Sequence, residues 1–112
     1  MEKDPKIFLL HILESIANIE DYTADLTKGD FYDSVEKQDA IVRRLEIIGE
    51  ATRNLPEGFR KSNPEVPWQD IAGMRSKLIH EYFGVDLDLV WTVVHHDLPP
   101  FKRQVEKLLK EG

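Results

Sequence analysis

Residues Gln38–Leu55 have the sequence QDAIVRRLEIIGEATRNL. Alternating spacings of three and four residues connect a seam formed by Gln38, Ile41, Leu45, Ile48, Thr52 and Leu55. This spacing predicts a helix that packs closely against an antiparallel helix, either in the same chain or in a partner. Gly49 lies beside the seam and weakens the helix by about 1 kcal/mol relative to Ala, so we expect a neighbouring backbone to approach it closely. The remaining charged positions favour a solvated face with ion pairs one turn apart: Arg43, Arg44, Glu46 and Glu50.

Four further helices are predicted around this one. Asp4 and Pro5 are typical of a helix start, and the first helix should end at the segment Lys28-Gly29-Asp30. A short helix is expected at about 56–61, followed by an extended, proline-containing linker at 63–67. The next helix should run from 68 to about 83, with Gly84 as its C-cap.

The last predicted helix begins after Asp86 and keeps one apolar phase to the end of the chain. The segment Leu98-Pro99-Pro100 interrupts it, and we expect a kinked or briefly broken helix that keeps its direction. No segment has the pattern of a strand. The sequence therefore predicts an all-α, up-and-down bundle of about five helices, formed by a single domain at 1–112, with the seam favouring a homodimer.

Composition narrows the function classes. The absence of cysteine excludes disulfides, cysteine-based zinc sites and thiol nucleophiles. Neither a leader nor an apolar run long enough to span a membrane is found, so a soluble, cytoplasmic protein is expected. His11 and the adjacent pair His95-His96 lack a second ligand at helical spacing, and no metal site is predicted.

The net charge of −6 argues against general electrostatic binding of nucleic acid. Its distribution is uneven, with balances of −5 over 1–33, +1 over 34–77 and −2 over 78–112. Any contact with RNA must therefore be local, and the acidic remainder suits a basic protein partner.

Reactive side chains concentrate in one segment, IAGMRSKLIHEYFGV at 71–85. Arg75 is a permanent cation whose donors fit phosphate, and His80 is suited to proton transfer near neutral pH. Tyr82 adds a hydroxyl on an apolar body. Taken singly, Arg75 also suits a structural ion pair, His80 a helix C-terminus and Tyr82 a core position.

Helical geometry constrains this group. At about 100° per residue, Arg75 and Tyr82 share a face, whereas His80 is rotated by about 140° from Arg75. One straight helix cannot direct Arg75 and His80 at the same phosphate. Two copies related by a two-fold axis, or a frayed helix end with long side chains bending into a groove, would bring them together.

The spacing Arg75-x4-His80-x-Tyr82 resembles the R-x4-H-x-Y signature of HepT-like toxins in the HEPN nuclease superfamily. The flanking segments 68–75 and 83–86, and the segment 38–51, are similar to the same family. The resemblance implies a homodimeric helical toxin that cuts RNA, not DNA, without a metal or other cofactor, in a cleft between subunits. It implies that Arg75 and His80 are catalytic, and that an MNT-type nucleotidyltransferase antitoxin neutralises the toxin by adding AMP to Tyr82.

Ser76 departs from the family pattern, in which Asn, Asp or His often follows the arginine. Its hydroxyl can still hydrogen-bond a phosphate or water, although it is a less directive group. The alternative is a non-catalytic helical subunit that presents a nucleotide or substrate to its nucleotidyltransferase. Ser76 and the acidic composition favour that alternative.

Overall fold

Helices form nearly all of the regular structure in residues 4–80 and 84–111, the part of the chain that the computed structural model describes. For His80 the description covers the backbone and not the side chain. None of the helices in these ranges combines the length and the hydropathy that a membrane span requires. The all-α class is confirmed, with local departures from the predicted elements.

Helix α1, Pro5–Thr23, begins as predicted, because the Asp4 side chain accepts a hydrogen bond from the Lys6 N–H at 3.0 Å. The predicted end at Lys28-Gly29-Asp30 is wrong. The chain leaves the helix at Ala24, and Asp25 adopts a positive φ of 60°. Thr27 and Asp30 then form a reciprocal capping box that starts a separate short helix, α2, Lys28–Asp33. Gly29 thus lies inside a helix rather than after one.

Helix α3, Val35–Asn54, contains the seam from Gln38 to Thr52, with Leu55 as its C-cap residue, and the Ser34 side chain caps its start. The apolar members of the seam are buried inside the chain, where α3 packs against α1 and α5. They share one core cluster with Leu9, Ile12 and Ile16 of α1. The seam is therefore occupied by intrachain packing and gives no support to a homodimer.

The short helix α4, Glu57–Ser62, confirms the element expected at 56–61. The single helix expected from 68 to 83 is wrong in two places. It is divided at Gly73 into α5, Trp68–Ala72, and α6, Met74–Leu78. After Leu78, the strand β1, Ile79–His80, pairs antiparallel with β2, Gly84–Val85.

This small pairing explains why the helix ends early. Ile79 adopts an extended conformation, with φ −115° and ψ 116°, which its β-branched side chain favours. The Asp86 N–H donates to the Leu78 carbonyl at 2.8 Å, which satisfies a carbonyl at the end of α6. Gly84 has the positive φ of 77° expected of a C-cap glycine, but it serves this pairing instead.

The last helical region confirms both the cap at Asp86 and a helical path that continues past the prolines. It comprises α7, Leu87–Thr92, a π-helical segment, Val93–Asp97, and α8, Leu98–Glu111. Val93 and Leu98, which join these pieces, keep right-handed helical dihedral angles. Pro99 and Pro100 have no N–H to donate to the preceding turn. The π-helical segment lies in that turn, where the regular helical hydrogen bonds would otherwise be lost.

Candidate active site

The short helix α6 presents the motif arginine because of how its own apolar residues pack. Met74 and Leu78 are four residues apart and both are buried in the core. The three positions between them, Arg75, Ser76 and Lys77, are consequently exposed. Lys77 pairs with Asp70 of α5 at 3.5 Å, which links the two short helices.

Close backbone contact holds α5, and with it α6, against α3. A Cβ atom added at Gly49 would lie 3.2 Å from the Ile71 carbonyl oxygen and 3.6 Å from that of Ala72. The sequence prediction that a backbone approaches Gly49 is confirmed. Because α5 leads directly into α6, this contact holds the segment that carries Arg75 against α3. Gly49, where the two backbones meet, lies one helical turn from Glu46.

Arg75 forms an ion pair with Glu46 across this contact. Its Nε atom lies 3.1 Å from the Glu46 Oε2 atom, with 63% of the Arg75 side chain and 26% of the Glu46 side chain exposed. The expectation that Glu46 pairs along its own helix is wrong, whereas Glu50 does pair with Arg53 of α3, at 3.2 Å. A pair as exposed as Arg75–Glu46 contributes about 0–1 kcal/mol to stability, so it leaves Arg75 able to exchange its partner.

A cleft of about 570 Å³ lies in front of Arg75. The N-terminal half of α1 forms one wall with Phe8 and His11, and α3 forms the other. The charged side chains lining the cleft are those of Arg43, Glu46, Glu50, Arg53 and Arg75. Three permanent cations therefore face two carboxylates, which makes the cleft locally positive in an acidic chain.

Of the four predicted site residues, the structure describes Arg75 and Ser76 fully and His80 only by its backbone. Arg75 and Ser76 are exposed on α6, and the His80 backbone follows two residues after the helix ends, paired with Gly84. The His80 side chain and all of Tyr82 lie outside the described residues. Because His80 is not on a helix, the rotation of 140° calculated for a continuous helix does not apply, and the inference of two chains from that angle fails.

His95 and His96 are solvated, as expected from the sequence. His95 is exposed, lies against Trp91 with ring centroids 4.0 Å apart, and places Nδ1 2.9 Å from the Trp91 carbonyl oxygen. Since a carbonyl can only accept, Nδ1 carries the proton. His96 is exposed. His11 is also exposed, but it lines the cleft beside Arg75, which the sequence did not indicate. Within 4–80 and 84–111, no group of three or more potential ligands is arranged to hold a metal ion.

Sequence reasoning missed that Glu46 pairs with Arg75. It also missed that Arg43 and Arg53 line the cleft. One signal was available for Glu46, because it lies one turn before Gly49 on the same helix. Any backbone approaching that glycine brings its neighbouring residues within reach of Glu46. No comparable signal indicated the wall formed by α1.

The described residues thus define an all-α protein in which the arginine of an R-x4-H motif lines a positively charged cleft. Residues 12–108 match the HepT-like ribonuclease family, and the chain belongs to that family.

Two relatives illustrate the similarity. A Methanocaldococcus jannaschii protein named "gamma-glutamylcyclotransferase and putative RNase" is 53% identical over 111 residues, which cover 99% of this chain and 50% of that protein. The chain therefore spans half the length of that relative. "Probable ribonuclease HepT" of Thermococcus cleftensis is 44% identical over 110 residues, covering 98% of this chain and 100% of that protein. No solved structure matches the chain.

Proposed function

We propose that the protein is the toxin of a toxin–antitoxin system, a metal-independent endoribonuclease that uses Arg75 and His80. The observation that carries the proposal is the exposure of Arg75 in a positively charged cleft of a HepT-like ribonuclease family member. Residues 1–112 act as one domain, in the cytoplasm and as a homodimer. A cognate MNT-type nucleotidyltransferase neutralises the toxin by transferring AMP to Tyr82.

The proposed chemistry is an internal transesterification. The ribose 2′-oxygen attacks the adjacent phosphorus as its proton is removed, and the 5′-oxygen leaves and takes up a proton. His80 acts as the general base on the 2′-hydroxyl or as the acid on the leaving oxygen. Arg75 stabilises the charge that develops on the phosphorane oxygens, and the Ser76 hydroxyl assists by binding phosphate or water. DNA is not a substrate, because it lacks the 2′-hydroxyl.

Exposed apolar side chains beside the cleft support the homodimer. Ile7 and Leu10 lie about one turn apart on α1 and are 53% and 55% exposed. Their neighbours Phe8 and His11 line the cleft. A second copy could cover these apolar side chains, which the chain alone leaves exposed to water.

Purified wild-type protein should cleave single-stranded RNA in the presence of EDTA. Arg75→Ala and His80→Ala should each lower kcat by about 100-fold or more, since each removes transition-state stabilisation or proton transfer. A 2′-deoxy substitution at the cut position should block cleavage. Rates are measured with a labelled oligonucleotide and product analysis.

Lys77→Ala is the matched control, because Lys77 is an exposed cation on the same helix and pairs with Asp70. It should keep wild-type activity, and thermal denaturation should show all three variants folded. Equal cleavage by wild type, Arg75→Ala and His80→Ala would remove the catalytic assignment. A stable complex with the nucleotidyltransferase, without cleavage by the isolated wild-type protein, would favour a non-catalytic subunit.

A further inference from the structure

The charges around the cleft are not equivalent. Glu46 pairs with Arg75, and Glu50 pairs with Arg53. Arg43 lines the same cleft with an exposed side chain and forms no ion pair within the described part of the chain. The net positive charge of the cleft therefore resides at Arg43, with Arg53 held by a pair that is half-exposed or more on both sides, at 51% and 68%.

The distance between Arg43 and Arg53 on α3 indicates how far the cleft extends along that helix. Arg43 and Arg53 are ten residues apart, which corresponds to about 15 Å along the helix axis. Arg75 reaches the same cleft from α6 and meets α3 at Glu46, between the two. The three arginines thus reach the cleft from different points along its wall.

From this arrangement we infer that the cleft binds the RNA phosphates flanking the scissile bond, with Arg43 and Arg53 as binding residues on either side of Arg75. The inference rests on the proposed ribonuclease function. Arg43 meets a phosphate without giving up a partner, and Arg53 exchanges a solvated carboxylate for a phosphate at little cost. Glu46 and Glu50 repel phosphate, so they restrict the strand to the positions that the arginines occupy.

The test measures binding of a single-stranded RNA whose 2′-hydroxyls are methylated, so that it binds without being cleaved. Fluorescence anisotropy at several salt concentrations compares wild type with Arg43→Gln and Arg53→Gln. Each variant should bind on the order of fivefold more weakly. Each should also reduce the slope of log K against log salt by about 0.7, because one counterion-releasing contact is lost. With cleavable RNA, the loss should fall on KM rather than on kcat.

Arg103→Gln is the charge-matched control, since Arg103 is exposed on α8 and does not line the cleft. It should change affinity by less than about twofold. Suppose that wild type binds and cleaves RNA, and that Arg43→Gln and Arg53→Gln bind RNA with the same affinity as Arg103→Gln. The cleft inference is then overturned and the ribonuclease function stands. If wild type neither binds nor cleaves RNA, both fall together.

Discussion

At the scale of single residues, the environment of a side chain separates reactive candidates from occupied ones. The sequence contains three tyrosines, Tyr22, Tyr32 and Tyr82. Tyr32 is exposed, but its hydroxyl donates a hydrogen bond to the Asp88 carboxylate. This bond, together with partial desolvation and the negative charges of Asp88 and Asp86, raises the pKa of Tyr32 to about 12. The same bond, with Lys28, lowers the pKa of Asp88.

Transfer of AMP to tyrosine needs a phenol oxygen that can lose its proton to attack the phosphorus of ATP. Tyr32 is poorly suited, because its hydroxyl is occupied and its pKa is raised. Because Tyr82 is the proposed acceptor, we predict that Tyr82→Phe abolishes AMP addition by the proposed nucleotidyltransferase with ATP and magnesium, whereas Tyr32→Phe does not. Mass spectrometry of the intact protein and of its peptides measures the transfer. The same AMP mass on Tyr82→Phe would show that the acceptor is another residue.

At the scale of secondary-structure elements, two helical glycines have different surroundings. A Cβ atom added at Gly49 of α3 would lie 3.2 Å from the Ile71 carbonyl oxygen. A Cβ atom added at Gly58 of α4 would have nothing within 4 Å. The contact at Gly49 is between backbones, so relieving it requires α5 to move. The element that moves is continuous with the helix carrying Arg75.

Gly49→Ala should therefore lower the free energy of unfolding by about 1–2 kcal/mol, because overpacking against a carbonyl exceeds the gain in helix propensity. Gly58→Ala should raise it by a few tenths of a kcal/mol, since only the propensity gain remains. Chemical denaturation of both variants measures the difference. Stabilisation by Gly49→Ala would mean that α3 and α5 separate easily, and would remove the proposed restraint on α6.

At the scale of the whole molecule, the apolar seam of α3 is buried within the chain, while Ile7 and Leu10 of α1 remain exposed beside the cleft. A homodimer would therefore be formed by other surfaces than the seam. If each site takes Arg75 from one chain and His80 from the other, two inactive variants can restore one intact site between them.

Mixing Arg75→Ala with His80→Ala, after dissociation and reassembly, should restore up to about one quarter of wild-type activity. Half of the dimers would be mixed, and each mixed dimer would hold one intact site of two. Each variant reassembled alone is the control and should stay inactive. Light scattering that shows a dimer, with no recovery of activity in the mixture, would place Arg75 and His80 of one site in the same chain.

Much of the fold was predictable because its signals are local. Asp4 and Asp86 cap helices through contacts with residues two or three positions away, and the apolar spacing of α3 identifies its buried face. The end of α6 was not predictable in this way, because the pairing of Ile79–His80 with Gly84–Val85 joins two separate segments. The end of α1 did have a local signal, the capping box formed by Thr27 and Asp30, which sequence reasoning missed.

Local sequence patterns were enough to place most helices, the buried face of α3, the approach of a backbone to Gly49 and the residue types of the motif. Three features appear only in the packed chain: Glu46 as the partner of Arg75, the cleft between α1 and α3, and the position of His80 after the helix. The two groups differ in the range of the interactions that produce them. Helix periodicity and capping depend on neighbours within one or two turns, whereas an ion pair or cleft between distant segments exists only after the core has packed.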